Sequence, residues 1–343
     1  MRIVIWVVVA VVGLLAALTL DPELPGAIVP PLDGISGVTP VAQVVALKGW
    51  LVLTLAVLGI VFLVIGLVRR QLIRAGAAIM VLGGVFLLVA VGHLAIMFDR
   101  GTSAATSISR TDDTAAAPDA ALTILTVNME EGDVAGSDLA TPIVEQGVDV
   151  VVLPEMLDAD ATALATELTG SGHPFTAYGA GSATEDRGAT AVLLADSLGG
   201  YVPVDAEPTA EAFALRPVSG VGPTIVAVHP TAPRPDAMDV WRREVGEALT
   251  WCRTGSGPVV VAGGLNATVD HAPARDLGRC VDGATEAGLG GVATWPADIP
   301  WFFGSPIDRI LVDEASYRVA EGAVFDVGQA THRALVVRVE PVG

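Results

Sequence analysis

PVVVAGGLNAT, residues Pro258–Thr268, divides into two halves. Val259-Val260-Val261-Ala262 is a continuous apolar run bounded by Pro258 and Gly263, the pattern of a strand buried on both faces. Gly263, Gly264 and Asn266 then fall at the strand's carboxyl end, where open α/β architectures collect functional groups. Taken alone, Asn266 also reads as a turn asparagine bonding its own backbone.

Outward from this stretch, strand and helix patterns alternate from Ala121 onward. Leu122–Val127 reads as a strand ending at Asn128. Leu139–Gln146 reads as a short helix capped by Ser137. Val148–Leu153 is a buried strand ending at Glu155, and Ala161–Leu168 a helix. Ala189–Leu194 and Thr224–Val228 read as strands, the second ending at His229. Val240–Arg253 is an amphipathic helix leading into the central strand. Ile307–Val312, Tyr317–Val324 and Ala334–Val339 close the chain as strands. Strands outnumber helices, which predicts one α/β domain with a strand-rich core over residues 121–343.

The first hundred residues differ. The 343-residue chain is 52% apolar and 17% charged, and the apolar excess lies in Ile3–Leu20, Leu51–Val68 and Ala75–Phe98. Each run can cross a ~30 Å hydrocarbon core at about 1.5 Å per residue, and none shows a polar face. Residues 1–100 are therefore expected to hold three transmembrane helices, at about 3–20, 51–68 and 75–98. The first run, preceded by Arg2, is long for a signal peptide and lacks an A-x-A site. Arg69, Arg70 and Arg74 lie between the second and third runs, whereas the loop 21–46 has Asp21, Glu23 and Asp33 and no basic residue. The positive-inside rule puts the 69–74 loop in the cytoplasm and everything after Asp99 outside, as a multi-pass membrane protein. Residues 101–120, rich in Ser, Thr, Ala and Asp, read as a flexible linker.

Residues 101–343 carry 13 Lys+Arg and 34 Asp+Glu, a net charge of −21, and no lysine. Non-specific nucleic-acid binding depends on phosphate neutralisation, so this part is ill suited to it.

Polar residues recur at one kind of place. Asn128, Glu155, His229 and Asn266 follow apolar strands, Asp308 opens one and His332 immediately precedes one. Each has a local alternative: a turn residue, a helix-start carboxylate, a strand-end histidine, a cap. Together, a carboxylate and an amide suit a hard cation such as Mg²⁺, and two histidines suit proton transfer or phosphate contact.

The series LTILTVN, VDVVVLPE, TIVAVHP, PVVVAGGLNAT, PIDRILV and ATHRALVVRV, with Thr294-Trp295-Pro296, resembles the endonuclease/exonuclease/phosphatase superfamily, the deoxyribonuclease-I-like fold. It is most similar to actinobacterial membrane-anchored members. The resemblance implies a four-layer α/β/β/α sandwich and Mg²⁺-dependent cleavage of phosphate esters. It implies Asn128 and Glu155 on the metal side, His229 and Asn266 at the phosphate, and Asp308 orienting His332. Two family aspartates are replaced, by Gly264 in the G-D-x-N pattern and by Thr331 in the S-D-H pattern, and Pro154 stands for the usual glutamine. Asp270, Asp326, Glu130 and Glu131 are the nearby acids that could substitute.

Two functions follow from the resemblance. One is an extracytoplasmic, membrane-anchored Mg²⁺-dependent phosphoesterase, acting on a phosphate-containing small molecule or a lipid headgroup of the bilayer. The other is a degenerate member that binds an anionic ligand or a protein partner without turnover.

Cys252 ends the helix before the central strand and Cys280 follows the short segment after it. A helix–strand–helix unit that folds back would bring them within bridging reach; two buried free thiols are the alternative. Ile299–Phe303, with three aromatics in a Pro/Gly-bounded loop, reads either as a core plug or as an apolar tip resting on the outer leaflet.

Overall fold

The computed structural model describes residues 2–103, 105–109, 121–129, 135–180, 190–204 and 212–342. Two compact units result: Met1–Asp99 together with Val269–Ala272, and the remainder from Arg100.

The first unit contains α1 (Arg2–Leu18), α2 (Leu24–Ile28), α3 (Val41–Ala46), α4 (Lys48–Ile73) and α5 (Ala77–Asp99). Among the described residues two helices, α4 and α5, are long and apolar enough to cross a membrane. The expectation of three helices of that length is corrected to two. With Asp21 and Pro22 closely following it, α1 stops after 17 residues, about 26 Å against a core of about 30 Å. The turn between α4 and α5 uses Arg74 at φ 51° and Gly76 at φ 124°. The two helices then pack through glycine. A Cβ on Gly83 would lie 2.7 Å from the Gly59 carbonyl oxygen, and one on Gly59 3.0 Å from that of Gly83. Small residues permit that backbone approach. Lys48, the only lysine in the chain, meets Asp270 of the same unit at 3.0 Å.

The second unit is a mixed α/β fold with two sheets. Its strands are β1 (Leu122–Thr126), β2 (Val150–Pro154), β3 (Phe175–Ala180), β4 (Thr190–Ala195), β5 (Tyr201–Pro203) and β6 (Ala212–Pro217). They continue with β7 (Thr224–Val228), β8 (Val259–Gly264), β9 (Cys280–Asp282), β10 (Asp308–Asp313), β11 (Tyr317–Phe325) and β12 (Ala334–Pro341). One sheet runs β11-β12-β1-β2-β4-β3 and the other β5-β6-β7-β8-β10-β9. Each has a parallel pair at its centre, β1 with β2 and β7 with β8, and antiparallel neighbours outside it. Its longer helices are α6 (Ser137–Glu145), α7 (Asp158–Gly170), α8 (Met238–Ala248) and α9 (Thr250–Thr254). Ser137 starts α6 and does not cap it.

Alternation along the strands builds the layers. Ile124, Val150, Val152, Val192, Leu335 and Val337 of the first sheet meet Ile225, Ala227, Val260, Ala262, Ile310 and Val312 of the second in one core. The residues between them, Leu125, Val151, Leu153, Leu193 and Val336, pack with Leu139 and Ile143 of α6 and Leu164 and Leu168 of α7. Burial on both faces explains why these strands read as unbroken apolar runs.

The linker expectation is corrected in part. Ser103 N donates to Gly288 O, Val324 N to Ala105 O and Ile108 N to Gln146 Oε1, and Ile108 is buried in the first-sheet core. Residues 110–120 lie outside the described residues. Cys252 and Cys280 form a disulfide with Cα atoms 5.5 Å apart, as the helix–strand–helix reading predicted. Closing that 28-residue separation stabilises the second unit by on the order of 3 kcal/mol in the chain-entropy model.

Asp149, between α6 and β2, accepts from Thr123 N at 2.8 Å. Burial pushes its carboxyl from 3.8 up to about 6, against the opposing pull of that hydrogen bond and of Arg338. A folded-state pKa above the unfolded one contributes stability that is complete below about 4 and lost as pH rises through about 6. Asp149→Asn, which keeps an acceptor and carries no charge, is expected to melt higher than the parent at pH 8 and to lose that advantage by pH 4. Parallel melting curves across this range would refute the assignment.

Candidate active site

Topology gathers the six polar residues. The carboxyl ends of both parallel pairs lie where their antiparallel neighbours begin. Asn128 follows β1, Glu155 follows β2 and His229 follows β7. Asp308 opens β10 directly opposite Gly264 of β8, and His332 precedes β12, whose start pairs with the end of β1.

The side chains form two groups. In the first, Asn128 Nδ2 donates to Glu155 Oε1 at 2.9 Å and lies 3.4 Å from His229 Nε2. His229 Nε2 is 3.3 Å from the same Glu155 oxygen. Burial lowers the His229 pKa below its ordinary 6.5, while the Glu155 and Asp308 carboxylates pull it upward. In the second group, His332 Nδ1 meets Asp308 Oδ2 at 2.7 Å, with both residues buried. Thr294 Oγ1 fixes the start of β10 by accepting from Ile307 N at 3.2 Å and Asp308 N at 3.1 Å.

Gly264 lies between the groups. A Cβ there would stand 3.2 Å from His229 Cδ2 and 3.3 Å from Asp308 Oδ1. That Asp308 oxygen is buried with no hydrogen-bond partner among the described residues. Gly263 is a glycine for a different reason: at φ 142° its backbone presses on β7, leaving 2.0 Å between a Cβ and Val228 O.

Glu155 and Asn266 carry φ values of 58° and 51°, a left-handed backbone that non-glycine residues rarely adopt and that clusters at functional sites. Glu155 stands ahead of α7, which begins at Asp158, so it is no helix-start residue. Asn266 is pinned twice. Trp241 Nε1 of α8 donates to its backbone oxygen at 3.0 Å, and its own Nδ2 donates to Pro230 O at 2.8 Å. One of its two amide hydrogens is thereby committed beside His229.

Of the four acids named as substitutes, the two that are described, Asp270 and Asp326, are engaged with other partners. Asp270 is held by Lys48 in the first unit. Asp326 is 72% exposed and paired with Arg333. Glu130 and Glu131 lie outside the described residues. Among the described residues, no three His, Cys, Asp or Glu side chains converge as a metal-holding group. Glu155 is the one carboxylate of its group, Asn128 turns a donor nitrogen toward it, and Asp308 is engaged by His332. These residues do not fit a resident Mg²⁺, which needs several oxygen ligands in near-octahedral order.

Sequence reasoning gave no role to three contributors. Thr294 positions Asp308. Glu244, buried on α8, accepts from Thr231 N at 2.8 Å and fixes the turn after His229. Arg333 binds the loop 293–299. The TWP motif and the helical spacing of Trp241 and Glu244 were the available signals.

The chain is similar to a number of solved structures. A humanized D. rerio TDP2 is 15% identical, covering 64% of this chain and 99% of that one with a TM-score of 0.49. An endonuclease/exonuclease/phosphatase from Beutenbergia cavernae is 18% identical, covering 65% and 72% with a TM-score of 0.49. The Bacteroides thetaiotaomicron mannosyl-6-phosphatase Bt3783 is 16% identical, covering 65% and 100% with a TM-score of 0.47. No curated protein matches the chain. The endonuclease/exonuclease/phosphatase family model matches residues 125–331, more than half of the chain and five of the six site positions, ending one residue before His332, and the chain belongs to that family.

Proposed function

We propose that the second unit binds phosphate esters at this site without the family's metal-dependent turnover. The observation that carries the reading is the pair of histidine–carboxylate contacts, His229–Glu155 and His332–Asp308, meeting at a glycine. Two imidazoles and two amides provide donors for phosphoryl oxygens, and at His229 the Glu155 and Asp308 carboxylates favour the charged imidazole, opposing the burial that lowers its pKa. What is missing is a carboxylate to place water and to hold a cation. A phosphoesterase is the second reading, favoured by the survival of both histidine–carboxylate pairs, which suit general acid–base work.

The architecture is read as the four-layer α/β/β/α sandwich of the family. The α4–α5 hairpin is its membrane anchor, with Arg69, Arg70 and Arg74 of the turn in the cytoplasm. That orientation places the acidic second unit outside the cell membrane, where its disulfide persists and where lipid headgroups and small phosphate esters are the available ligands.

The test uses the full chain in detergent. Methylphosphonate, which has no ester to cleave, is titrated calorimetrically, and bis(p-nitrophenyl) phosphate hydrolysis is followed with and without Mg²⁺. Binding that His229→Ala or His332→Ala weakens at least tenfold, with no Mg²⁺-stimulated hydrolysis, is expected. Mg²⁺-dependent hydrolysis lost in Glu155→Ala would establish the phosphoesterase instead. Absence of both binding and hydrolysis would refute both.

A further inference from the structure

His332 is bracketed on both sides by one loop. Ala297 N donates to Thr331 O at 2.7 Å, and Arg333 N donates to Thr294 O at 2.8 Å. The Arg333 side chain then binds the same loop from within. Its Nη1 donates to Ala293 O and Pro296 O at 3.2 Å each, and its Nη2 to Ala297 O and Ile299 O at 2.7 Å each. Nε meets Asp326 Oδ1 at 3.0 Å. A guanidinium has five N–H donors in one rigid plane, and all five are engaged here.

Trp295 lies in the loop so held. Its backbone is bonded both ways to Ser305, N to O at 3.1 Å and O from N at 2.6 Å. Its ring stands 6.4 Å from the His332 imidazole, centroid to centroid, within the range of aromatic pairs. The residue is nevertheless 40% exposed. The other aromatics nearby are differently placed: Trp301 packs against the inter-sheet core, and Phe302 stacks edge-on with both Trp301 and Phe303. Of those three rings, Trp301 is the one that packs against the core. Among the described residues, Trp295 combines a large apolar surface open to water with a ring beside a site histidine, and covering that surface is favourable.

Resting on the phosphate-binding reading above, we infer that Trp295 receives the ester group of the bound phosphate and favours a flat, apolar one. Arg333 is the positioning residue that keeps Trp295 beside His332. The chemical class so defined is a phosphate carrying an aryl or comparably planar apolar substituent, in preference to a small alkyl one.

Calorimetric titration of the full chain in detergent with phenylphosphonate and methylphosphonate tests this. The parent is expected to prefer phenylphosphonate by about tenfold. Trp295→Ala is expected to bring the ratio to about one with methylphosphonate affinity unchanged, and Trp295→Phe to retain most of the preference. Arg333→Lys, with three donors for five acceptors, is expected to lose the preference as Trp295→Ala does. A preference that survives Trp295→Ala, or an equal loss for both phosphonates, overturns the role of Trp295. A preference intact in Arg333→Lys overturns the positioning role. Should Arg333→Lys not fold, Asp326→Ala releases only Nε, and an unchanged ratio there overturns that role instead. A parent that binds neither phosphonate refutes the phosphate-binding reading itself, and this inference with it.

Discussion

Gly264→Asp combined with Thr331→Asp is expected to confer Mg²⁺-dependent hydrolysis of bis(p-nitrophenyl) phosphate about 10²–10⁴-fold above the parent's background rate, the usual range for a general base. Backbone strain does not oppose the first change, because the left-handed φ belongs to Gly263 and not to Gly264. Space is tight: the new Cβ meets His229 Cδ2 at 3.2 Å and Asp308 Oδ1 at 3.3 Å, so the histidine ring must yield by a few tenths of an ångström. Charge is the larger issue. A second carboxylate beside the partnerless Asp308 oxygen is repelled unless a cation joins them. The double variant is therefore expected to be less stable than the parent in a chelator and to recover its melting temperature with Mg²⁺. Each single change is expected to do much less, since groups that act as a unit are non-additive. A double variant that folds, shows no Mg²⁺-dependent melting and cleaves nothing would mean that the site has been rebuilt beyond these two positions.

Trp241→Ala is expected to destabilise the second unit by about 3–5 kcal/mol, the range for removing a buried large aromatic. Trp241 is fully buried on α8, and its indole nitrogen is the donor to the Asn266 backbone oxygen. Trp241→Phe separates the two roles. It keeps most of the volume, removes the donor, and is expected to cost about 1–3 kcal/mol for the oxygen left unsatisfied. Methylphosphonate binding should fall in Trp241→Phe by more than in a control of similar stability loss on β11, where no site residue is held. Equal binding in the two variants would show that the left-handed Asn266 conformation is maintained without the indole. Chemical denaturation supplies the stability axis and calorimetry the binding axis.

Both experiments act on features that stand at different depths in the sequence. The apolar runs of β1, β2, β7, β8, β10 and β12 are legible because strands buried on both faces must be apolar throughout. Asn128, Glu155, His229, Asn266, Asp308 and His332 are legible because a strand's end is a fixed place in an α/β fold, so polarity there stands out against the run before it. The charge of residues 101–343 and the basic turn between α4 and α5 are likewise direct consequences of composition. β3, β5, β6 and β9 escaped notice: they are short, edge-proximal or only partly apolar, and their pairing partners supply what their own residues do not. The length of α1 escaped for a related reason. Hydropathy alone ran to Leu20, while the helix stops at Leu18.

The sequence by itself determined which polar residues end or open apolar strands, that Gly264 and Thr331 stand where the resemblance implies aspartates, and that two cysteines and three apolar runs are present. Only the tertiary structure decided how those parts are spent. It assigned Asp270 to Lys48 and Asp326 to Arg333, which removes them as substitute acids. It set Gly264 in register with Asp308, and it gave all five Arg333 donors to neighbours that place Trp295 beside His332. The physical reason is range. Hydrophobic period, helix length and strand ends are encoded within about ten residues of chain. Which acid pairs with which base depends on distances of a few ångströms between residues tens or hundreds of positions apart, and those distances exist only once both sheets have closed on their shared core.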